Sequence, residues 1–110
     1  METITPAQEM TRQMLQELGI PANRIGYRFL CAAIPSYAQD SNQSVTKELY
    51  PAIGKSFGYS NGCAVERAIR GVILDATEHN ETDVWKQYFP RCRKAPSNSL
   101  FIATLAECLK

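Results

Sequence analysis

Apolar residues recur at helical spacing along most of this chain, and no stretch alternates as a strand would. In the first stretch, Thr5 to Leu18, Met10, Met14, Leu15 and Leu18 share one face. Thr5 is placed to cap this helix with Pro6 in its first turn, while Gly19 and Pro21 end it. A second helix is predicted from Arg24 to about Ala38, capped by Asn23, with Ile25, Phe29, Leu30, Ala33 and Tyr37 inward. Pro35 lacks an N–H and crowds the preceding turn, so it is expected to kink or shorten this helix. The polar run 39–44 reads as a loop. A third helix begins at Ser44 or Val45 and carries Val45, Leu49, Ile53 and Phe57 on one face, with a bend or short break expected at Pro51. A fourth places Val65, Ile69, Val72, Ile73 and Ala76 on one face and runs to Glu78 or His79. Glu81 to Phe89 reads as a short fifth helix with Val84, Trp85, Tyr88 and Phe89 as its apolar part and Trp85 as a core anchor. Ser97 or Asn98 caps the last, which runs to about Leu109 with Phe101, Ile102, Leu105 and Leu109 in its stripe. The fold class expected is all-α, a six-helix bundle.

Helices three and four are joined by Gly58-Tyr59-Ser60-Asn61-Gly62, whose glycines and Asn61 can supply the positive φ of a tight reversal. Gly54, one turn before Gly58, would let the two helices cross closely. This is the layout of a helix-turn-helix, whose second helix enters the DNA major groove. With the apolar face of helix four inward, Glu66, Arg67, Arg70 and Leu74 remain on or near the opposite side. Arginine can donate two parallel hydrogen bonds to guanine, and a glutamate can accept one from cytosine. Glu66, Arg67 and Arg70 are therefore the candidate base-contacting residues. For an arbitrary exposed helix, Glu66 and Arg70 would instead be a solvated surface pair. Thr46 and Lys47, in the first turn of helix three, suit a DNA phosphate, which positions without reading sequence. Ser60 and Asn61 in the turn, and Arg91, Arg93 and Lys94 in the loop before the last helix, are further phosphate candidates. Arg24 and Arg28, one turn apart, read as a solvated face.

At 110 residues the chain is expected to be a single domain spanning 1–110. Its net charge of +1 is not that of a non-specific nucleic-acid binder, so good base contacts or a second copy must supply affinity. No apolar run approaches a membrane span and no signal-peptide pattern opens the chain, which predicts a cytoplasmic protein with no membrane partner. Cys31, Cys63, Cys92 and Cys108 are widely spread and read as free thiols, with no metal site. One histidine, His79, and no Gly-rich phosphate loop leave no nucleophile–base constellation, so neither an enzyme nor a cofactor is expected.

Four segments, GIPANRIGYRFLCAAI, SVTKELYPAIGKSFG, AVERAIRGVI and KAPSNSLFIATLAECL, carry a resemblance when taken in this order. From about Thr5 to Leu109 the chain resembles the C-terminal effector domain of the stage 0 sporulation master regulator, a family of bacterial response regulators. TKELYP, VERAIR and KAPSNSLFIA are the most specific pieces. The resemblance implies a six-helix domain whose helix-turn-helix binds double-stranded DNA at TGTCGAA-like boxes. It also implies a homodimer on tandem sites, helped by the last helix, and the RNA polymerase sigma subunit as a second partner. The family's base-contacting Glu and two Arg fall on Glu66, Arg67 and Arg70. Where the family pattern has Ser-Arg before VERAIR, this chain has Cys63-Ala64, which removes one expected DNA contact. Asp83–Arg93 departs from the family pattern. The family's receiver domain is not among these residues, so the chain is expected to be an excised domain or a stand-alone protein without that switch. The alternative expectation is a helical protein-interaction module that has lost specific DNA binding, favoured by Ala64 and the near-neutral charge.

Overall fold

A computed structural model describes residues 5–79 and 82–110. Six α-helices and one π-helical turn account for all regular structure among these residues. They are α1 (Pro6–Glu17), α2 (Ile25–Gln39), α3 (Tyr50–Ser56, preceded by the π turn Val45–Leu49), α4 (Cys63–His79), α5 (Thr82–Tyr88) and α6 (Asn98–Glu107). The expected all-α architecture is present. Glu81, the expected start of the fifth helix, lies outside the described residues.

Helix starts follow the capping chemistry of the sequence at three places, one of them Ser44, whose hydroxyl accepts from the Lys47 N–H at 3.1 Å. The Thr5 hydroxyl accepts from the Gln8 N–H at 3.2 Å, and the Gln8 side chain accepts from the Thr5 N–H at 3.0 Å. The Ser97 hydroxyl accepts from the Leu100 N–H at 3.1 Å and opens α6. At α2 the expected cap moves by one residue: Arg24, not Asn23, occupies the cap position, and no side chain caps it. Arg24 reaches instead to α4, where it pairs with Asp75.

α2 is the central helix, packing against α1, α3, α4 and α6. It can be central because its sequence is apolar nearly all round, as a helix covered on several sides must be. Phe29, Leu30, Ala33 and Ile34 are all buried, whereas Ile25 at its open end is not. Met10, in the same way, leaves the α1 stripe for solvent while Met14, Leu15 and Leu18 go inward. Gly26 marks the closest approach to α4: a Cβ there would stand 2.4 Å from the Ala68 carbonyl oxygen. Trp85 is buried as expected and donates its indole N–H to the Leu18 carbonyl at 3.0 Å. It clusters with Phe89 and Phe101, joining α5 and α6 to the end of α1.

α2 runs on past Pro35, whereas the winding changes from π to α at Tyr50, next to Pro51. α2 continues through Pro35 to Gln39, because Ala33 and Ile34 beside it are completely buried and hold the backbone in place. Pro51 sits in the first turn of α3, where its missing N–H matters least. The π turn just upstream, with the Leu49 N–H bonded to the Ser44 carbonyl at 2.9 Å, is the wider winding that accommodates its ring.

The end of α3 is closed by a Schellman motif. The Tyr59 N–H bonds the Gly54 carbonyl at 2.7 Å and the Gly58 N–H bonds the Lys55 carbonyl at 3.1 Å, with Gly58 at φ 87°. Nothing lies within 4 Å of a Cβ built on Gly58, so Gly58→Ala meets only the conformational cost of the left-handed backbone. The expected loss is about 1–2 kcal/mol, read as a lower denaturant midpoint at unchanged m-value.

Candidate nucleic-acid interface

α4 is mounted rigidly from behind. Val65, Ile69, Val72 and Ile73 are fully buried. Gly26 lets α2 lie against its backbone, and the Arg24–Asp75 ion pair fastens its far half. The turn that leads into it works differently from the sequence expectation. Gly58 alone takes positive φ there; Asn61 and Gly62 do not. Asn61 acts as a side-chain acceptor, its Oδ1 bonding the Cys63 N–H at 2.9 Å. Gly62 is needed for space, since a Cβ would come within 2.7 Å of Tyr50 Cβ and 3.0 Å of the Pro51 nitrogen. Gly54 likewise makes room, chiefly for the Asn61 carbonyl rather than for α4 itself.

On the front of α4, Glu66, Arg67 and Leu74 are exposed, as the periodicity predicts, but Arg70 is half-buried. Its Nη1 donates to the Pro96 carbonyl at 2.6 Å. Glu66 and Arg70 therefore do not form the surface pair that spacing allows. Arg67 has no side-chain partner among the described residues. A groove of about 510 Å³ opens on this face and brings Thr46, Glu66, Arg67 and Arg70 together. Its other walls are Tyr50, Ala95 and residues 97–99 at the start of α6, which sequence periodicity did not single out. Asn98 is buried and donates its Nδ2 to the backbone carbonyl of Glu66 at 3.0 Å. Burial raises the Tyr50 phenol above its ordinary value; the Asn98 side chain opposes that shift and the Glu66 carboxylate adds to it. Tyr50 is thus a neutral hydroxyl at pH 7 in the groove floor.

The family described as Sporulation initiation factor Spo0A C terminal matches this chain over residues 11–109. The chain belongs to that family. As a member of the Spo0A C-terminal family it is a DNA-binding, transcription-regulating domain of sporulation initiation, a class of transcription-factor domains and not a class of enzymes.

The Spo0A C-terminal match spans the turn, α4 and the loop that meets it, so the remaining candidate residues can be located on one family domain. Ser60 and Asn61 are exposed in the turn before α4, and Lys47 is exposed in the π turn before α3. The loop cations separate from them. Arg93 and Lys94 line a different, smaller cavity of about 250 Å³, with Lys86 and the aromatic rings of Trp85 and Phe89. Arg91 is exposed and lines neither cavity. Arg28 is exposed over the Phe57 ring, 5.3 Å from its centroid, and Arg24 is committed to Asp75, so these two are not simply a solvated pair. The four cysteines are free thiols, with Cys63 and Cys108 exposed.

Proposed function

We propose that the chain, acting as one domain over residues 1–110, binds specific double-stranded DNA sequences by placing the N-terminal half of α4 in the major groove. The observation that carries this reading is the shared surface of Thr46, Glu66, Arg67 and Arg70, backed by a fully buried face of the same helix. Arg67 and Arg70 donate to guanine edges and Glu66 accepts from cytosine. Thr46, Lys47, Ser60 and Asn61 take the phosphates beside them, and Arg91, Arg93 and Lys94 take phosphates farther along the duplex. With net charge +1, electrostatic attraction alone is weak, and two copies on tandem TGTCGAA-like boxes supply the remaining affinity. Contact with the RNA polymerase sigma subunit completes the regulatory role, which belongs in the cytoplasm. No helix among the described residues is long and apolar enough to cross a membrane.

The test is fluorescence anisotropy of a duplex with tandem TGTCGAA-like boxes against a scrambled duplex, over a range of salt. Arg67→Ala is expected to cost about 1–3 kcal/mol on the box and much less on the scrambled duplex. If neither Arg67→Ala nor Arg70→Ala alters binding to the box, base reading by α4 is wrong. Equal, strongly salt-sensitive binding to both duplexes would favour the interaction-module reading.

A further inference from the structure

The start of α6 meets the reading end of α4 through two hydrogen bonds that are far apart in sequence and adjacent in space. Pro96 offers its carbonyl to Arg70 at 2.6 Å, and Asn98 donates to the Glu66 carbonyl at 3.0 Å. Glu66 and Arg70 are one helical turn apart, so the segment 96–98 spans the turn that carries the proposed base contacts. Asn98 and Thr11 are the two non-aromatic polar side chains buried among the described residues, and Asn98 is 9% exposed. Its Oδ1 is buried without a hydrogen-bond partner. An amide with one buried unpaired oxygen, held between the Tyr50 phenol and the Glu66 carbonyl, is a costly choice for a position one turn before the core residues Phe101 and Ile102. The Glu66 carbonyl belongs to a helix ladder and has a second lone pair to spare, so it does not need Asn98 for its own satisfaction.

We infer that Asn98 is a positioning residue for DNA reading: with the Pro96 carbonyl it fixes the first turns of α4 and the Arg70 guanidinium relative to the groove. This rests on the base-reading role proposed above. It goes beyond it by assigning part of specificity to a side chain that reaches no base. The mechanism is geometric. The Arg70 fork presents its remaining N–H donors in one orientation because one donor is already held, and the α4 backbone beneath Glu66 cannot shift without breaking the Asn98 bond.

The deciding variant is Asn98→Leu, nearly isosteric and without the unpaired acceptor. Under conditions where the variant is folded, the preference for the tandem-box duplex over the scrambled one should fall about tenfold, as expected for one lost positioning hydrogen bond. A merely structural Asn98 would leave that preference intact in the folded variant, whatever its thermal midpoint, which overturns the inference. A double-mutant cycle with Arg70→Ala should be strongly non-additive, whereas simple addition of the two losses also overturns it. A measurement on the unmodified protein stands independently of whether the variants fold. By NMR, the Arg70 guanidinium protons should exchange with water more slowly than those of Arg67; equal rates refute the tether. Loss of box binding in Arg67→Ala with normal preference in a folded Asn98→Leu would sink this inference alone. Unchanged box binding in both arginine variants would sink the base-reading proposal beneath it.

Discussion

Trp85→Ala is expected to destabilise the domain by about 3–5 kcal/mol, the usual range for removing a buried large aromatic. Two separate losses add here. Trp85 is packed against Phe89 and Phe101, with ring centroids 5.8 Å away in both cases. Its indole also donates to the Leu18 carbonyl at the C-terminal end of α1, an acceptor that the truncation leaves without that donor. Trp85→Phe keeps most of the apolar volume and loses the hydrogen bond, so it should fall well short of the alanine loss. Urea unfolding followed by far-UV circular dichroism separates them, which is necessary because Trp85 is the only tryptophan and its fluorescence disappears with it. Against a typical domain stability of about 5–15 kcal/mol, the alanine variant is close to the limit of folding. Equal losses for Ala and Phe would mean that the hydrogen bond, and not the packing, is the dominant contribution.

Gly26→Val should be the most damaging small-to-larger change, at or above the upper end of the roughly 1–3 kcal/mol typical of overpacking. A Cβ at Gly26 would stand 2.4 Å from the Ala68 carbonyl oxygen and 2.9 Å from both Val72 methyl groups. The first obstacle is backbone in the middle of α4 and cannot rotate away, so α2 and α4 must separate. Gly26→Ala meets the same obstacle with one carbon, offset by better helix propensity of about 1 kcal/mol. The stability order glycine, alanine, valine, read from thermal midpoints, is the expected result. Because α2 supports the back of α4, box binding should weaken in the same order under conditions where every variant remains folded. A valine variant as stable as the original protein would show that the two helices separate at little cost.

The bundle was legible because its helices are amphipathic and bounded by strong punctuation. Thr5-Pro6, Gly19, Gly58 and Ser97 each state a terminus locally, and Val65, Ile69, Val72 and Ile73 mark the inner face of α4 without reference to any neighbour. Local rules failed where a distant partner decides. Met10 and Ile25 fit their stripes but lie beyond the reach of the neighbouring helix. Asn23 is a better cap by chemistry than Arg24, yet Arg24 is drawn by Asp75, 51 positions later. Pro35 argues for a shortened or kinked helix, yet α2 reaches Gln39, and Pro51 is marked by a change of winding rather than by a loop. The exposed part of the site followed from periodicity, which left Glu66, Arg67 and Arg70 outward. The burial of Arg70 did not, because its partner Pro96 lies 26 positions away in a loop without periodicity. Asn98 could be read only as a cap candidate from the sequence; its bond to Glu66 spans 32 positions.

The unequal state of the two arginines has a thermodynamic consequence. Arg70 is already held by the Pro96 carbonyl in the unliganded domain, whereas Arg67, if it reads a base as proposed, would surrender its own rotational freedom on the duplex, at about 0.5–1.5 kcal/mol for such a side chain. In the proposed base-reading role, the tethered arginine would meet each box as a fixed template and discriminate sharply at the base it faces. The untethered one can swing to a neighbouring acceptor when a box is imperfect. Degenerate operator sequences should therefore vary most at the position read by Arg67 and least at that read by Arg70, so that one reading head accommodates a family of related promoters at graded occupancy.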